Sequence, residues 1–79
     1  MMRDVGREDD ALKYLELAVK ENPRDHIAQA KLARAYGYKG RWSEAEHHFL
    51  LSLSIRPNDR TTQNWYERMK YQRSKYGRR

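Results

Sequence analysis

The side chains most able to do chemistry are three histidines and the carboxylates near them. His47 and His48 are adjacent, so on a helix they point about 100° apart and are poorly placed to share one metal ion. Glu44 and His48 stand four residues apart on one helical face, but they supply only half of a metal site. There is no catalytic constellation of serine, cysteine or paired carboxylates, and no glycine-rich phosphate loop. We therefore expect no enzyme, no cofactor and no metal site.

Binding chemistry is concentrated near the C-terminus, where residues 65–76 interleave aromatic and basic side chains. From Arg56 onward there are eight basic and two acidic residues, which accounts for the whole net charge of +6. This mixture suits a nucleic-acid backbone with stacked bases or an anionic membrane surface. The same segment, 60–79, also fits a solubilising terminal helix on which Tyr66, Met69 and Tyr76 pack inward. Trp65 lies off that inward stripe, which predicts an exposed contact residue.

Length and composition limit the chain to one small domain, which we expect to span 1–79 with 77–79 as a basic tail. There is no cysteine, so disulfides and thiolate metal sites are excluded. No apolar run approaches the roughly 20 residues that a membrane span needs, and the N-terminus has no apolar signal region. The default expectation is a soluble, cytoplasmic protein.

An internal repeat organises the chain. The stretch from His26 to Asp59 matches the residues before it at an offset of 34. The offset pairs Gly6 with Gly40, Arg7 with Arg41, Ala11 with Ala45, Pro23 with Pro57 and Asp25 with Asp59. A period near 34 is typical of a two-helix unit that buries its apolar face only by stacking on its neighbours.

Apolar spacing predicts an all-α chain of four helices at about 8–21, 26–39, 42–54 and 60–76. Asp9 and Asp10 suit the first turn of the first helix, and Asp25 is a predicted N-cap of the second. Gly40 ends the second helix. Ser43 and Glu46 have capping-box spacing for the third. The predicted inward positions are Ala11, Leu12, Leu15, Leu17, Ala18, Val19, Ala28, Leu32, Ala35, Tyr36, Trp42, Ala45, Phe49 and Leu53, with Ala33, Ala45 and Ser52 small at helix crossings.

The spacing Leu32-Ala33-x-x-Tyr36, Gly40, Ala45-x-x-x-Phe49, Pro57 resembles a tetratricopeptide repeat. The resemblance covers roughly residues 6–59, about one and a half repeats, and residues 60–76 resemble a capping helix. Two positions depart from the family pattern: Gln29 stands where tryptophan is usual, and Ala33 where glycine is frequent.

The resemblance implies an antiparallel helix-hairpin solenoid that acts as a non-catalytic scaffold for a peptide or partner protein. The first helices of the repeats would line a concave groove. A known subclass binds a C-terminal carboxylate through a lysine–asparagine clamp, but Ala30 and Arg34 stand at those positions here. The implied groove-facing residues are Ile27, Ala30, Arg34, Tyr38, Thr61, Asn64, Arg68 and Tyr71.

Within that groove, Arg34, Arg68 and Asn64 could pair with a carboxylate of an acidic peptide. Tyr38 and Tyr71 would add amphipathic contact area. The competing interpretation is that these side chains form ordinary solvated helix faces. The candidate partner-binding residues are Arg34, Tyr38, Asn64, Trp65, Arg68 and Tyr71.

The first predicted helix has no preceding partner helix, because residues 1–6 match only the end of one in the repeat frame. Whether the chain is a piece of a longer repeat protein stays open. We expect Leu12, Leu15 and Val19 to have one side uncovered, at a cost on the order of 1.5–3 kcal/mol for each exposed leucine. A second copy, forming a homo-oligomer, or the absent part of a parent protein would cover this face.

Overall fold

The computed structural model describes the backbone of residues 5–76 and the side chains of residues 10–75. Within that range the chain forms four α-helices and no strand. They are α1 (Val5–Glu21), α2 (His26–Tyr38), α3 (Trp42–Ile55) and α4 (Arg60–Tyr76). The prediction of an all-α chain of four helices is confirmed. The predicted tail, 77–79, and the side chain of Tyr76 lie outside the described residues.

The N-terminal boundary of α1 differs from the prediction. The helix starts at Val5, so Asp9 and Asp10 lie in its second turn and not in its first. Val5 and Gly6 belong to α1 itself, whereas the repeat frame placed them at the end of a preceding helix. After Val5 the next apolar residue is Ala11, and a single apolar residue in the first turns of a helix gives no periodic signal.

The turns that precede α2 and α4 are built alike, as the sequence offset predicts. The carboxylate of Asp25 caps α2 by accepting from the backbone N–H of Ile27 at 3.1 Å and of Ala28 at 3.2 Å. The carboxylate of Asp59 caps α4, accepting from the hydroxyl of Thr62 at 2.7 Å and more weakly from its N–H at 3.4 Å. The hydroxyl bond is the main reason why the pKa of Asp59 is lowered. The predicted cap at Asp25 is therefore confirmed.

The predicted capping box at the start of α3 is wrong. Helix α3 begins at Trp42, Arg41 is its N-cap residue, and no side chain caps it. The carboxylate of Glu46 instead reaches α4, where it accepts from the hydroxyl of Tyr66 at 3.1 Å. Gly40, between α2 and α3, has φ of +76°, which glycine adopts without steric cost, so its predicted role as a helix terminator holds.

Successive helices pack as antiparallel hairpins, α1 on α2, α2 on α3, and α3 on α4. Helix α2 also contacts α4, so it is the central element of the described chain. At the start of these two helices, Nδ1 of His26 lies 3.5 Å from a carboxylate oxygen of Asp59. Helices α2 and α4, which begin successive 34-residue units of the sequence, are therefore neighbours.

The core lies where α2, α3 and α4 meet, and α1 covers one side of it. Ala33, Ala45 and Ser52 are fully buried at the helix crossings, as predicted, and the hydroxyl of Ser52 donates to the carbonyl of His26 at 2.7 Å. Leu12 is buried, so the expectation that it has an uncovered side is wrong. Leu15 and Val19 are partly buried, whereas Leu17, predicted to face inward, is 52% exposed. The core cluster comprises Leu12, Leu32, Ala33, Tyr36, Ala45, Phe49 and Met69.

Candidate functional site

A cavity of about 510 Å³ opens between α2, the start of α3 and α4. We call it the first cavity. Its floor is apolar, because Phe49 and Met69 belong to the core. Gly37 lies close to this floor, since a Cβ atom there would stand 3.4 Å from Cγ of Met69, in van der Waals contact. The lining residues are Arg34, Gly37, Tyr38, Gly40, Trp42, Phe49, Trp65, Arg68, Met69 and Gln72.

Arg34 occupies the rim of the first cavity in a fixed position. Its guanidinium lies over the indole of Trp65, 4.4 Å from the ring centroid, and 5.5 Å from the ring centroid of Tyr38. Its Nε–H donates to the hydroxyl of Tyr38 at 3.1 Å. These contacts use the ring-facing side and one nitrogen of the guanidinium, and its two terminal nitrogens have no acceptor among the described residues.

The two arginines of the first cavity differ from Arg41 and Arg73, which pair with carboxylates outside it. Arg41 donates to both oxygens of Glu44, at 2.7 and 2.9 Å, and Arg73 lies 3.3 Å from Glu46. Neither Arg34 nor Arg68 is paired with a carboxylate in the part of the chain that the structure describes. Two unpaired guanidiniums at the mouth of an apolar cavity favour an anionic oxygen group as ligand.

The structure groups four of the six candidate binding residues around the first cavity: Arg34, Tyr38, Trp65 and Arg68. Asn64 is exposed but outside the cavity lining, and Tyr71, 61% exposed, is outside it as well. The expectation of an exposed Trp65 off the core stripe is wrong, because its ring is partly buried against the core and covered by Arg34. Ala30, implied as groove-facing, is 2% exposed and presents almost no surface to a partner.

A second cavity, of about 270 Å³, lies on the other side of α2 between that helix and α1. Ala11 and Leu15 from α1 and Ala35 from α2 supply its apolar wall. Its other lining residues are Lys31, Arg34, Tyr38 and Lys39. Arg34 and Tyr38 therefore line both cavities and form a ridge between them.

The interleaved aromatic and basic residues of α4 are partly engaged within the fold. Tyr66 packs on Phe49, with ring centroids 5.6 Å apart, and Met69 is buried, so the predicted inward packing of these two is confirmed. Nζ of Lys70 lies 4.8 Å from the ring centroid of Tyr66. Burial, followed by the hydrogen bond to Glu46, raises the pKa of Tyr66.

Gln29 and His48 form a buried polar link between α2 and α3. Nδ1 of His48 lies 2.7 Å from Oε1 of Gln29, and Nε2 of Gln29 donates to the carbonyl of Pro23 at 2.9 Å. Gln29 is 2% exposed, so both bonds replace water that it cannot reach. Burial, and secondarily the neighbouring His47, lowers the pKa of His48. Among the residues that the structure describes, no three metal-binding side chains come together.

Several features of the site follow from tertiary packing that the sequence pattern did not reveal. Trp42, Phe49 and Met69 were assigned to the core, and their second role as the floor and wall of a cavity was missed. Gly37 and Gln72 were not singled out at all. The contact between Gly37 and Met69 joins two helices, so spacing along either helix alone carries no signal for it.

Comparison of the chain with protein-family models, with curated proteins and with solved structures finds no match. The resemblance to tetratricopeptide repeats therefore stays a prediction. Across the described range, none of the helices combines the length and apolar character that crossing a bilayer requires.

Proposed function

We propose that this chain is a non-catalytic helical-repeat module of the tetratricopeptide type that binds a peptide or partner protein. The binding surface is the groove that α2 and α4 form, and its centre is the first cavity. The partner carries an acidic group that pairs with Arg34 and Arg68. The observation that carries the proposal is the pair of carboxylate-free arginines at the mouth of an apolar cavity of about 510 Å³.

The chemistry of the first cavity supports a peptide ligand more than a small metabolite. Its floor offers apolar and aromatic contact through Phe49, Met69 and Trp65, whereas its rim offers charge. Buried aromatic anchors and arginines are the residues that contribute most to protein–protein binding energy. Arg34 is already held against Trp65, so a carboxylate would meet an ordered guanidinium, which lowers the entropic cost of binding.

The test uses the full chain as bait for a random twelve-residue peptide library displayed on phage, followed by affinity measurement on the enriched peptides. We expect enrichment of acidic peptides. Arg68→Ala should weaken their binding about tenfold, because a hydrogen bond to a charged group contributes on the order of 1.5–3 kcal/mol. Arg68 is exposed, so the substitution should leave folding intact.

Arg24→Ala is the matched control, since it removes the same charge from an exposed residue in the turn before α2. Its affinity for the enriched peptides should stay within about twofold of the wild type. If Arg68→Ala binds as tightly as the wild type, or if no peptide is enriched, the groove is not the binding site that we propose.

The alternative of a nucleic-acid- or membrane-binding surface on α4 makes a different prediction about salt. Binding through phosphate contacts weakens steeply as salt concentration rises, with a logarithmic slope of about −0.9 for each contact on duplex DNA. A peptide held by apolar anchors and one or two ion pairs should lose far less affinity over the same range. Tight binding of a DNA duplex with a steep salt slope would favour the alternative.

A further inference from the structure

We infer that the two cavities flanking α2 bind one continuous acidic segment, with an apolar side chain in each cavity and a carboxylate over Arg34 between them. This inference rests on the proposed function and specifies the chemistry of its ligand. It begins from the ridge formed by Arg34 and Tyr38, which lines both cavities. A chain that crosses α2 at this point meets an apolar cavity on either side of the ridge.

Both cavities suit apolar side chains. Phe49 and Met69 form the floor of the first cavity, and Ala11, Leu15 and Ala35 form the wall of the second. An apolar side chain that enters either one removes apolar surface from water, which is the main favourable contribution to such contacts. Each cavity is therefore a place for one anchor residue.

The charges around the ridge select an acidic segment. Arg34 presents its terminal nitrogens with no acceptor among the described residues, and Tyr38 is 74% exposed beside it. Lys31 lines the second cavity and Arg68 lines the first, whereas among the described residues neither lining contains an acidic side chain. A carboxylate on the crossing segment complements this field, and a basic side chain is repelled by it.

The width of α2 sets the spacing of the two anchors. A helix with its side chains is about 10 Å across, which corresponds to about three residues of extended chain. The expected ligand is a segment in the extended polyproline II conformation, in which side chains about three positions apart point to the same side. Two apolar residues at this spacing enter the two cavities, with aspartate or glutamate between them. A ligand of this pattern engages α1, α2 and α4 together.

The test uses the peptides enriched on the full chain, with a variant on each side of the ridge. Ala11→Phe fills the second cavity from an exposed position on α1, and Leu17→Phe adds bulk to the same helix outside the cavity lining. We expect peptides with the apolar–acidic–apolar pattern to bind about tenfold more weakly to Ala11→Phe. Leu17→Phe should bind them within about twofold of the wild type. Replacing the apolar peptide residue that enters the second cavity by alanine should weaken binding to the wild-type chain by a similar factor. The peptide with this replacement should bind the wild type and Ala11→Phe equally well.

The outcomes separate this inference from the proposed function. If Arg68→Ala weakens binding while Ala11→Phe and the alanine-substituted peptide do not, one cavity alone binds the ligand and the inference is wrong. If all three leave affinity unchanged, the proposed function is wrong as well. The peptide substitution needs no protein variant, so it decides the question even if Ala11→Phe fails to fold.

Discussion

Charged side chains are paired differently at the contacts between consecutive helices and in the groove that α2 and α4 form. Between the helices, charged groups have partners: Tyr36 donates to Glu16 at 2.7 Å from α2 to α1, and Tyr66 donates to Glu46 at 3.1 Å from α4 to α3. Arg73 also reaches Glu46, at 3.3 Å. In the groove, Arg34 and Arg68 have no carboxylate partner within the described chain.

This difference separates residues that hold the fold from residues that are available to a partner. A tyrosine–glutamate bond between helices fixes their register, and its loss should appear as a loss of stability. The exposed guanidinium of Arg34 contacts aromatic rings and one tyrosine hydroxyl, and such exposed charged contacts contribute little to stability in general. Substitutions between the helices should therefore change the free energy of unfolding, and substitutions in the groove should change affinity.

The largest expected effect on stability comes from Gln29. Gln29→Ala leaves a partly buried nitrogen of His48 without its partner, which should lower the free energy of unfolding by about 1–3 kcal/mol. Gln63 makes the matching bond, to the carbonyl of Pro57 at 2.7 Å, but is exposed, so Gln63→Ala should cost less than about 0.5 kcal/mol. Urea denaturation of the three proteins checks this. If Gln29→Ala and Gln63→Ala lower the free energy of unfolding equally, the burial of Gln29 does not explain its contribution to stability.

A smaller, pH-dependent effect is expected at Tyr36. Burial, followed by the hydrogen bond to Glu16, raises the pKa of Tyr36 to about 12. The neutral phenol is therefore favoured in the folded state, and its stabilising contribution is complete below the unfolded pKa of about 10. It is lost as the pH rises from about 10 through 12.

We expect the urea midpoint of the wild type to fall more over this range than that of Tyr36→Phe. Tyr14→Phe is the control, because Tyr14 is 71% exposed and should behave as the wild type does. If Tyr36→Phe follows the wild-type curve at every pH, the bond to Glu16 does not contribute to the alkaline stability.

The regular parts of the fold could be predicted because they depend on local chemistry. The roles of Asp25 and Gly40 depend only on residues within a few positions along the chain. Asp25 caps α2 and Gly40 follows its end, as predicted. The offset of 34 extends to side-chain bonds, since Gln29 to Pro23 is repeated by Gln63 to Pro57. A repeated sequence here specifies a repeated turn.

The failures of prediction concern side chains whose partners lie far along the chain. Glu46 has the spacing of a capping residue, but its carboxylate binds Tyr66, 20 residues away. Trp65 lies off the inward stripe of α4, but Arg34 of α2 covers its ring. Gln29 departs from the repeat pattern that the sequence resembles, and His48 explains how it is tolerated in the core. In each case packing between helices decides the outcome, and spacing along one helix does not reveal it.

The most direct test of the central claim is a nuclear magnetic resonance titration of the nitrogen-15-labelled full chain with an enriched acidic peptide. Our account predicts that the largest shifts occur at backbone amides of Gly37, Tyr38 and Gln72 and at the Nε–H of Arg34, which all line the first cavity. Largest shifts around Tyr14 and Leu17 on the exposed face of α1, with the cavity residues unchanged, would contradict it.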